Sequence, residues 1–346
     1  MTSPNRVAEC YWKIAKNLDQ IGEHRKAAEN FKNAFAGYKA ATQKLPQLSD
    51  FYISYANYMK AWNEVETAKQ AHKNEKYTIA MQHYEMTSRL LKQSKLWSYL
   101  APNFTAWSIL EQAEDLSRKE DTHEAIRAFK QALEQFTKAE KTIHNKIKEI
   151  TETDEKEMAT ELIKASETRC VYCQARISIE EAKIHDRKGE YDLSSESYGI
   201  AAENLRRIIK EIGSETSRQE LRQIMTLCLA WQKMTLAEKK ASPKIYLEAS
   251  QLFEKAKEYS FTKRTSLLAL GNSSFCKALA TGTRFEITLD VALHSEAIRY
   301  IESAATCYLK AGFQTASEYA RATQKLFDAY VYMSNAGKEI DPDKKA

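Results

Sequence analysis

Chain breakers are scarce in this sequence: 346 residues contain only nine glycines and five prolines. So few leave almost no material for hairpin turns and exclude a β-rich fold. No two glycines lie closer than ten residues, so there is no glycine-rich loop to cradle a phosphate. No apolar run approaches the ~18 residues that cross a bilayer. The opening Met1-Thr2-Ser3-Pro4-Asn5 lacks the basic and then apolar pattern of a secretory signal, so a cytoplasmic location is expected. Six cysteines are scattered along a long chain and read as reduced thiols. Cys170 and Cys173 form the one Cys-x-x-Cys pair, but a zinc site needs about four ligands and His185 stands alone further along. None of the seven histidines belongs to His-Glu-x-x-His or a nucleophile motif. Adjacent carboxylates such as Glu180-Glu181 and Glu114-Asp115 diverge by about 100° on a helix and read as solvated surface. The expectation is a chain that is not an enzyme and uses no cofactor and no metal.

What is present is helical periodicity. Tyr11, Ile14, Ala15 and Leu18 recur at helical spacing, Gly22 interrupts, and Ala27, Phe31 and Ala34 resume the period. The second half of this hairpin returns as Ala80-Tyr84-Thr87, Ala125-Phe129-Ala132, Ser194-Tyr198-Ala201, Ala249-Phe253-Ala256 and Ala297-Ile301-Ala304. Each is a small, bulky, small triplet at i, i+4, i+7. Small residues let two helix backbones approach while the bulky one fills the gap beside them. An aromatic at Tyr77, Tyr191 or Tyr246 precedes three of the triplets by three residues. The pattern predicts an all-α array of antiparallel helix hairpins at about 5–42, 48–96, 103–150, 154–212, 216–259 and 262–310, with an incomplete seventh at 314–346. Ser3-Pro4, Ser242-Pro243 and Asp341-Pro342 read as helix starts, and Asp121 and Asp154 as capping boxes. Gly282, Thr283 and Arg284 predict a break, with a connecting loop over 281–290 that reads as a tolerated insertion, the alternative being a functional loop presenting Arg284 and Phe285. Near the end, Asp341-Pro342 announces a helix with only four residues to follow. That predicts either a fragment of a longer protein or a last helix with Phe327, Tyr330 and Tyr332 exposed.

These residues resemble the tetratricopeptide-type repeat. Ala15, Gly22, Ala27, Phe31 and Ala34 meet that family's pattern, as do Ala182, Gly189, Tyr198 and Ala201. The resemblance implies a right-handed α-solenoid. The period departs from it: successive triplets begin 53, 45, 69, 55 and 48 residues apart, against ~34 in the family. Longer helices, as in the soluble attachment-protein type of solenoid, account for the difference. Leu268-Ala269-Leu270-Gly271 and Ala292-Leu293-His294-Ser295-Glu296-Ala297 also resemble uncharacterised helical-repeat proteins of archaea.

In the tetratricopeptide family a concave groove is lined by the first helix of each hairpin. Carried over through the triplets, Trp12, Trp62, Trp107 and Trp231 fall on groove positions, with Lys16, Lys69, Lys73, Arg176 and Lys183 among them. The resemblance implies a non-enzymatic scaffold whose groove captures a peptide or helix, indoles supplying area and cations meeting carboxylates. Packing of the same tryptophans in the core is the competing reading. The aromatics of Phe51 to Trp62 wrap more than one helix face, so some are exposed or covered by another chain, which leaves a homodimer open. Net charges of +6, −5 and +4 over residues 1–100, 101–218 and 219–346 fit an ordinary solvated surface, the alternatives being an acidic protein or peptide partner at either end or pairing of end with middle in an oligomer. No cluster reaches the density of a nucleic-acid arm, so weak RNA binding ranks low. A ligand-responsive regulatory module of a longer protein is the other alternative.

Overall fold

The triplets are where the chain closes on itself. None of their eighteen side chains exposes more than 5% of its surface. The computed structural model describes residues 3–338, and within them are thirteen α-helices and no strand. They are α1 (Pro4–Gln20), α2 (His24–Lys44), α3 (Ser49–Lys73), α4 (Tyr77–Lys92), α5 (Ala101–Arg118), α6 (Thr122–Ile147) and α7 (Thr153–Arg187), followed by α8 (Tyr191–Glu211), α9 (Glu215–Lys240), α10 (Pro243–Glu258), α11 (Lys263–Thr288), α12 (Val291–Lys310) and α13 (Gln314–Lys338). Single turns of tighter helix, Pro46–Leu48 and Ser98–Leu100, lead into α3 and α5. Most predicted boundaries agree within three residues.

The chain divides into two compact units, 1–180 and 181–346. From α1 to α6 in the first unit, and from α8 to α13 in the second, each helix packs on its neighbour in sequence. This is the packing of a helical repeat array. The first unit holds a large core, which runs from Ala8 to Ala159 and collects Phe31, Tyr52, Met59, Tyr84, Trp97 and Phe104. The second holds smaller clusters, one around Phe275, Ile301 and Phe327 and another around Phe253 and Cys276. All six cysteines are free.

The turns within the first four hairpins share a geometry. Gly22, Glu75, Glu120 and Gly189 each lie five residues before a triplet, and all four have positive φ, between 57° and 77°. A side chain with a Cβ costs about 1–2 kcal/mol in that region, and glycine does not. Glu120→Gly is therefore expected to stabilise the first unit by about 0.5–1 kcal/mol, read as a higher urea midpoint; an unchanged or lower midpoint contradicts the shared turn.

Ser3 and Ser242 do precede prolines at helix starts, but neither side chain caps its helix, and nor does that of Asp121. Capping side-chain bonds come instead from Ser214, Thr262 and Asp290. Asp154 lies inside α7, which begins at Thr153. Asp341-Pro342 lies outside the described residues.

Two larger expectations are corrected. The predicted loop over 281–290 is helix to Thr288: α11 passes through Gly282, and only Leu289, at φ 54°, turns the chain. Gly282 is small because the Phe327 ring lies against it; a Cβ there would stand 2.1 Å from Phe327 Cζ. Phe285 is buried as a result. Phe327, expected to be exposed, fills that contact and is itself buried, whereas Tyr332 is 74% exposed.

The aromatics of α3 are covered by the chain itself. Tyr52, Tyr58 and Met59 are buried with Trp97, Tyr99, Ile143 and Ala159, and Met158, Leu162 and Ile163 of α7 pack against them. The Tyr58 hydroxyl donates to Met158 Sδ over 3.0 Å and that of Tyr99 to Glu155 over 2.8 Å. Phe51 stays half-exposed.

Candidate functional site

Counting back from the triplets aligns the first helices of the hairpins. Eighteen residues before Ala80, Ala125, Ser194 and Ala249 stand Trp62, Trp107, Arg176 and Trp231. Each lies on the bulky member of the preceding triplet. Trp62 stacks on Phe31 (6.1 Å, 22°), Trp107 on Tyr84 (5.5 Å, 26°) and Trp231 on Tyr198 (5.7 Å, 30°). In the fourth hairpin the flat group is a guanidinium, with Arg176 Cζ 5.2 Å from the centre of Phe129. Trp12 sits three residues further along its helix and meets Tyr55 and Tyr58 edge-on. Such ring pairs add about 0.5–1.5 kcal/mol beyond the area they bury.

Each indole is thus engaged by the chain's own rings, and all four tryptophans are half-buried. Trp107→Ala is expected to cost about 2–3 kcal/mol, seen in chemical denaturation. A cost below about 1 kcal/mol would mean that the stack on Tyr84 carries no packing.

Four residues after these groups, fourteen before the triplets, come Glu66, Glu111 and Glu180, each fully buried. A buried carboxylate needs partners. Glu66 Oε2 is 2.8 Å from His24 Nδ1, and its Oε1 is 2.8 Å from Lys69 Nζ, which also reaches Asp19 Oδ1 at 2.6 Å. Glu111 is 2.9 Å from His72 Nδ1. Ser117 Oγ donates to Glu180 Oε1 over 2.6 Å. Glu114 is held by Arg176 Nη2 at 2.9 Å and by the Tyr172 hydroxyl at 2.8 Å. Apart from Glu66–Lys69, which lies within α3, each of these contacts joins one hairpin to the next. Glu180 and Glu114 therefore depart from the solvated surface expected of them, because the neighbouring hairpin supplies a cation or hydroxyl at hydrogen-bond distance.

Burial pulls the Lys69 ammonium down, but Glu66 and Asp19 outweigh it and hold it above the usual lysine value. His72 is likewise pulled down by its surroundings and raised further by the bond to, and charge of, Glu111. Burial pushes Glu111 up, and the bond from His72 offsets this only in part. Both shifts are upward, so the folded pair binds more protons than the unfolded chain. Its contribution is fully present at low pH and is lost as pH rises past the ordinary glutamate value and then through the raised histidine value. Glu111→Gln removes both shifts. In melting curves from about pH 4.5 to 8 the variant should gain on the wild type as pH rises; parallel profiles would refute the coupling.

Asp19, His24 and Glu66 place three donor atoms within 4.8 Å of one another, a set of metal-ligand type. Lys69 Nζ already lies against both carboxylates, so an internal ammonium fills the cation position. The thiols of Cys170 and Cys173 are pushed up by burial, the second one strongly, and stay protonated.

Of the cations expected to meet a partner, Lys69 and Arg176 are thus committed to the chain's own carboxylates. Lys16 and Lys73 are exposed, with Lys16 Nζ 5.9 Å from the Trp12 ring. Lys183 and Trp231 belong to the second unit and are half-buried. One residue escaped the register: Arg169, whose guanidinium lies 4.5 Å from the Trp107 ring and 5.5 Å from that of Tyr172. It sits 25 residues before Ser194 and seven before Arg176, two turns nearer the start of α7. The recurrence of Glu66, Glu111 and Glu180 at one offset from the triplets is the signal by which they could have been found.

No helix among the described residues is long and apolar enough to cross a membrane. Comparison with protein-family models finds no match, and comparison with curated proteins finds none.

Proposed function

We propose that the chain is a non-catalytic scaffold that captures a protein segment along the first helices of its first unit. The observation that carries this is the row of Trp12, Trp62 and Trp107, each fixed by ring contacts to its neighbours and each only half-buried. Rigid, partly exposed aromatic groups lose little entropy on contact, and tryptophan and arginine dominate binding energy at protein interfaces. Lys16, Lys73 and Arg169 flank the row with positive charge, which suits a segment carrying carboxylates. The likeness to tetratricopeptide-type repeats supports the same reading, since proteins of that type bind peptides along the corresponding face.

Lys69→Glu is a poor probe of this surface, because it would place a third carboxylate beside Glu66 and Asp19. Lys16→Glu with Lys73→Glu reverses two exposed charges and leaves the network intact. Proteins retained from lysate by the wild type are identified, and the complex is mapped by hydrogen exchange. Protection of α1, α3 and α5, lost in an equally stable double variant, is the expected result. A retained partner that protects only other helices, or binds the variant equally, would sink the reading.

A further inference from the structure

The outer face of α13 repeats every seven residues. Tyr319, Leu326 and Met333 form one row, and Ala322, Ala329 and Ala336 form a second, three residues on. The rows lie beside Ala320 and Phe327, the residues by which α13 packs into its unit, and the Tyr319 ring is 5.7 Å from that of Phe275. Tyr319, Leu326 and Met333 are 64%, 50% and 69% exposed, and Ala322 and Ala329 are exposed as well. Apolar residues in this a/d spacing form the seam of paired helices.

We infer that this seam joins α13 to the α13 of a second copy of the chain, antiparallel about a two-fold axis between Leu326 and Ala329. Large and small residues alternate symmetrically about that point. In an antiparallel pair Tyr319 meets Ala336 of the second copy, Ala322 meets Met333, and Leu326 meets Ala329, and the same three layers repeat on the other side of the axis. Every layer is one large side chain against one alanine, so both backbones approach closely with no void. A parallel pair would set tyrosine on tyrosine and alanine on alanine, leaving gaps at each alanine layer. A self-complementary patch of this kind closes at two subunits.

The extent of the seam suits a modest dimer. Eighteen residues span about 27 Å of helix, and a pair of that length hides on the order of 1,000 Å² in total, near the lower end of stable interfaces. Beside its C-terminal half, Leu289 joins Tyr330, Met333 and Glu286 around an open depression of about 380 Å³, which adds apolar surface next to the seam.

Sedimentation of the whole chain at increasing concentration tests this, with Ala329→Glu and Leu326→Ser as variants. Residue 329 is exposed, so Ala329→Glu should melt with the wild type, and melting of both variants is checked alongside. The expected result is a dimer with a dissociation constant in the ~micromolar range, weakened at least ~tenfold by either variant and unaffected by Phe51→Glu on α3. A wild type that stays monomeric to about 100 µM would overturn the inference. So would a dimer that survives Ala329→Glu, or one that Phe51→Glu dissociates.

Discussion

Arg176→Met is expected to lower the unfolding free energy by about 3–5 kcal/mol, the range for removing one partner from a buried ion pair. Only 14% of the Arg176 side chain and 9% of that of Glu114 are exposed, and their charged atoms are 2.9 Å apart. The guanidinium also donates to Ser117 Oγ, which in turn donates to the fully buried Glu180. Methionine preserves most of the apolar stem against Phe129 but leaves two carboxylates without the positive charge between them. Adding Glu114→Gln should recover a good part of the loss, because the glutamine amide can be buried with the Tyr172 hydroxyl at far smaller cost. Urea denaturation of the two single variants and the double variant forms a complete cycle. A single Arg176→Met loss below about 1 kcal/mol would show the pair to be solvated.

Gly282→Ala should cost about 2–4 kcal/mol, although alanine is the better helix former by about 1 kcal/mol. Three atoms of the Phe327 ring would lie 2.1, 2.6 and 2.8 Å from the new Cβ, all inside any tolerable contact. Phe327 is itself 3% exposed within the cluster of Phe275, Ile301 and Tyr308, so its ring has little freedom to move. The discriminating measurement is a rescue. Combining Gly282→Ala with Phe327→Leu should be more stable than the sum of the single losses, since leucine vacates the space that the methyl needs. If Gly282→Ala is neutral or stabilising, α11 and α13 lie further apart than described here.

Gly282 also shows where sequence reading stops. Glycine as a helix breaker is a statement about isolated chain, and it predicted a loop; glycine as the point where a ring crosses a helix depends on Phe327, 45 residues away. The triplets, by contrast, were fully legible, because their offsets report a packing pattern local to each hairpin. The tryptophans lay between these cases. Their alignment on the first helices could be read from the chain, but what they stack on could not, since the stacked partners Phe31, Tyr84 and Tyr198 belong to the previous hairpin. Glu180 and Glu114 failed for the same reason. A charged residue on a helix is solvated by default, and Ser117, Arg176 and Tyr172 reverse that only once α5 and α7 are side by side.

The long α7 gives the first unit a different folding problem from the second. In a plain array each helix waits only for its neighbour, so closing distances stay short and structure can grow from any point or fray from either end. Here Tyr58 meets Met158 across 100 residues of sequence, and Tyr99 meets Glu155 across 56. Those contacts form only after a large loop has closed, and their entropic cost precedes their reward. Folding of the first unit is accordingly slower and more all-or-none than its repeats alone would make it. In the second unit the contact of Gly282 with Phe327 closes only 45 residues, so its hairpins can open more nearly one at a time.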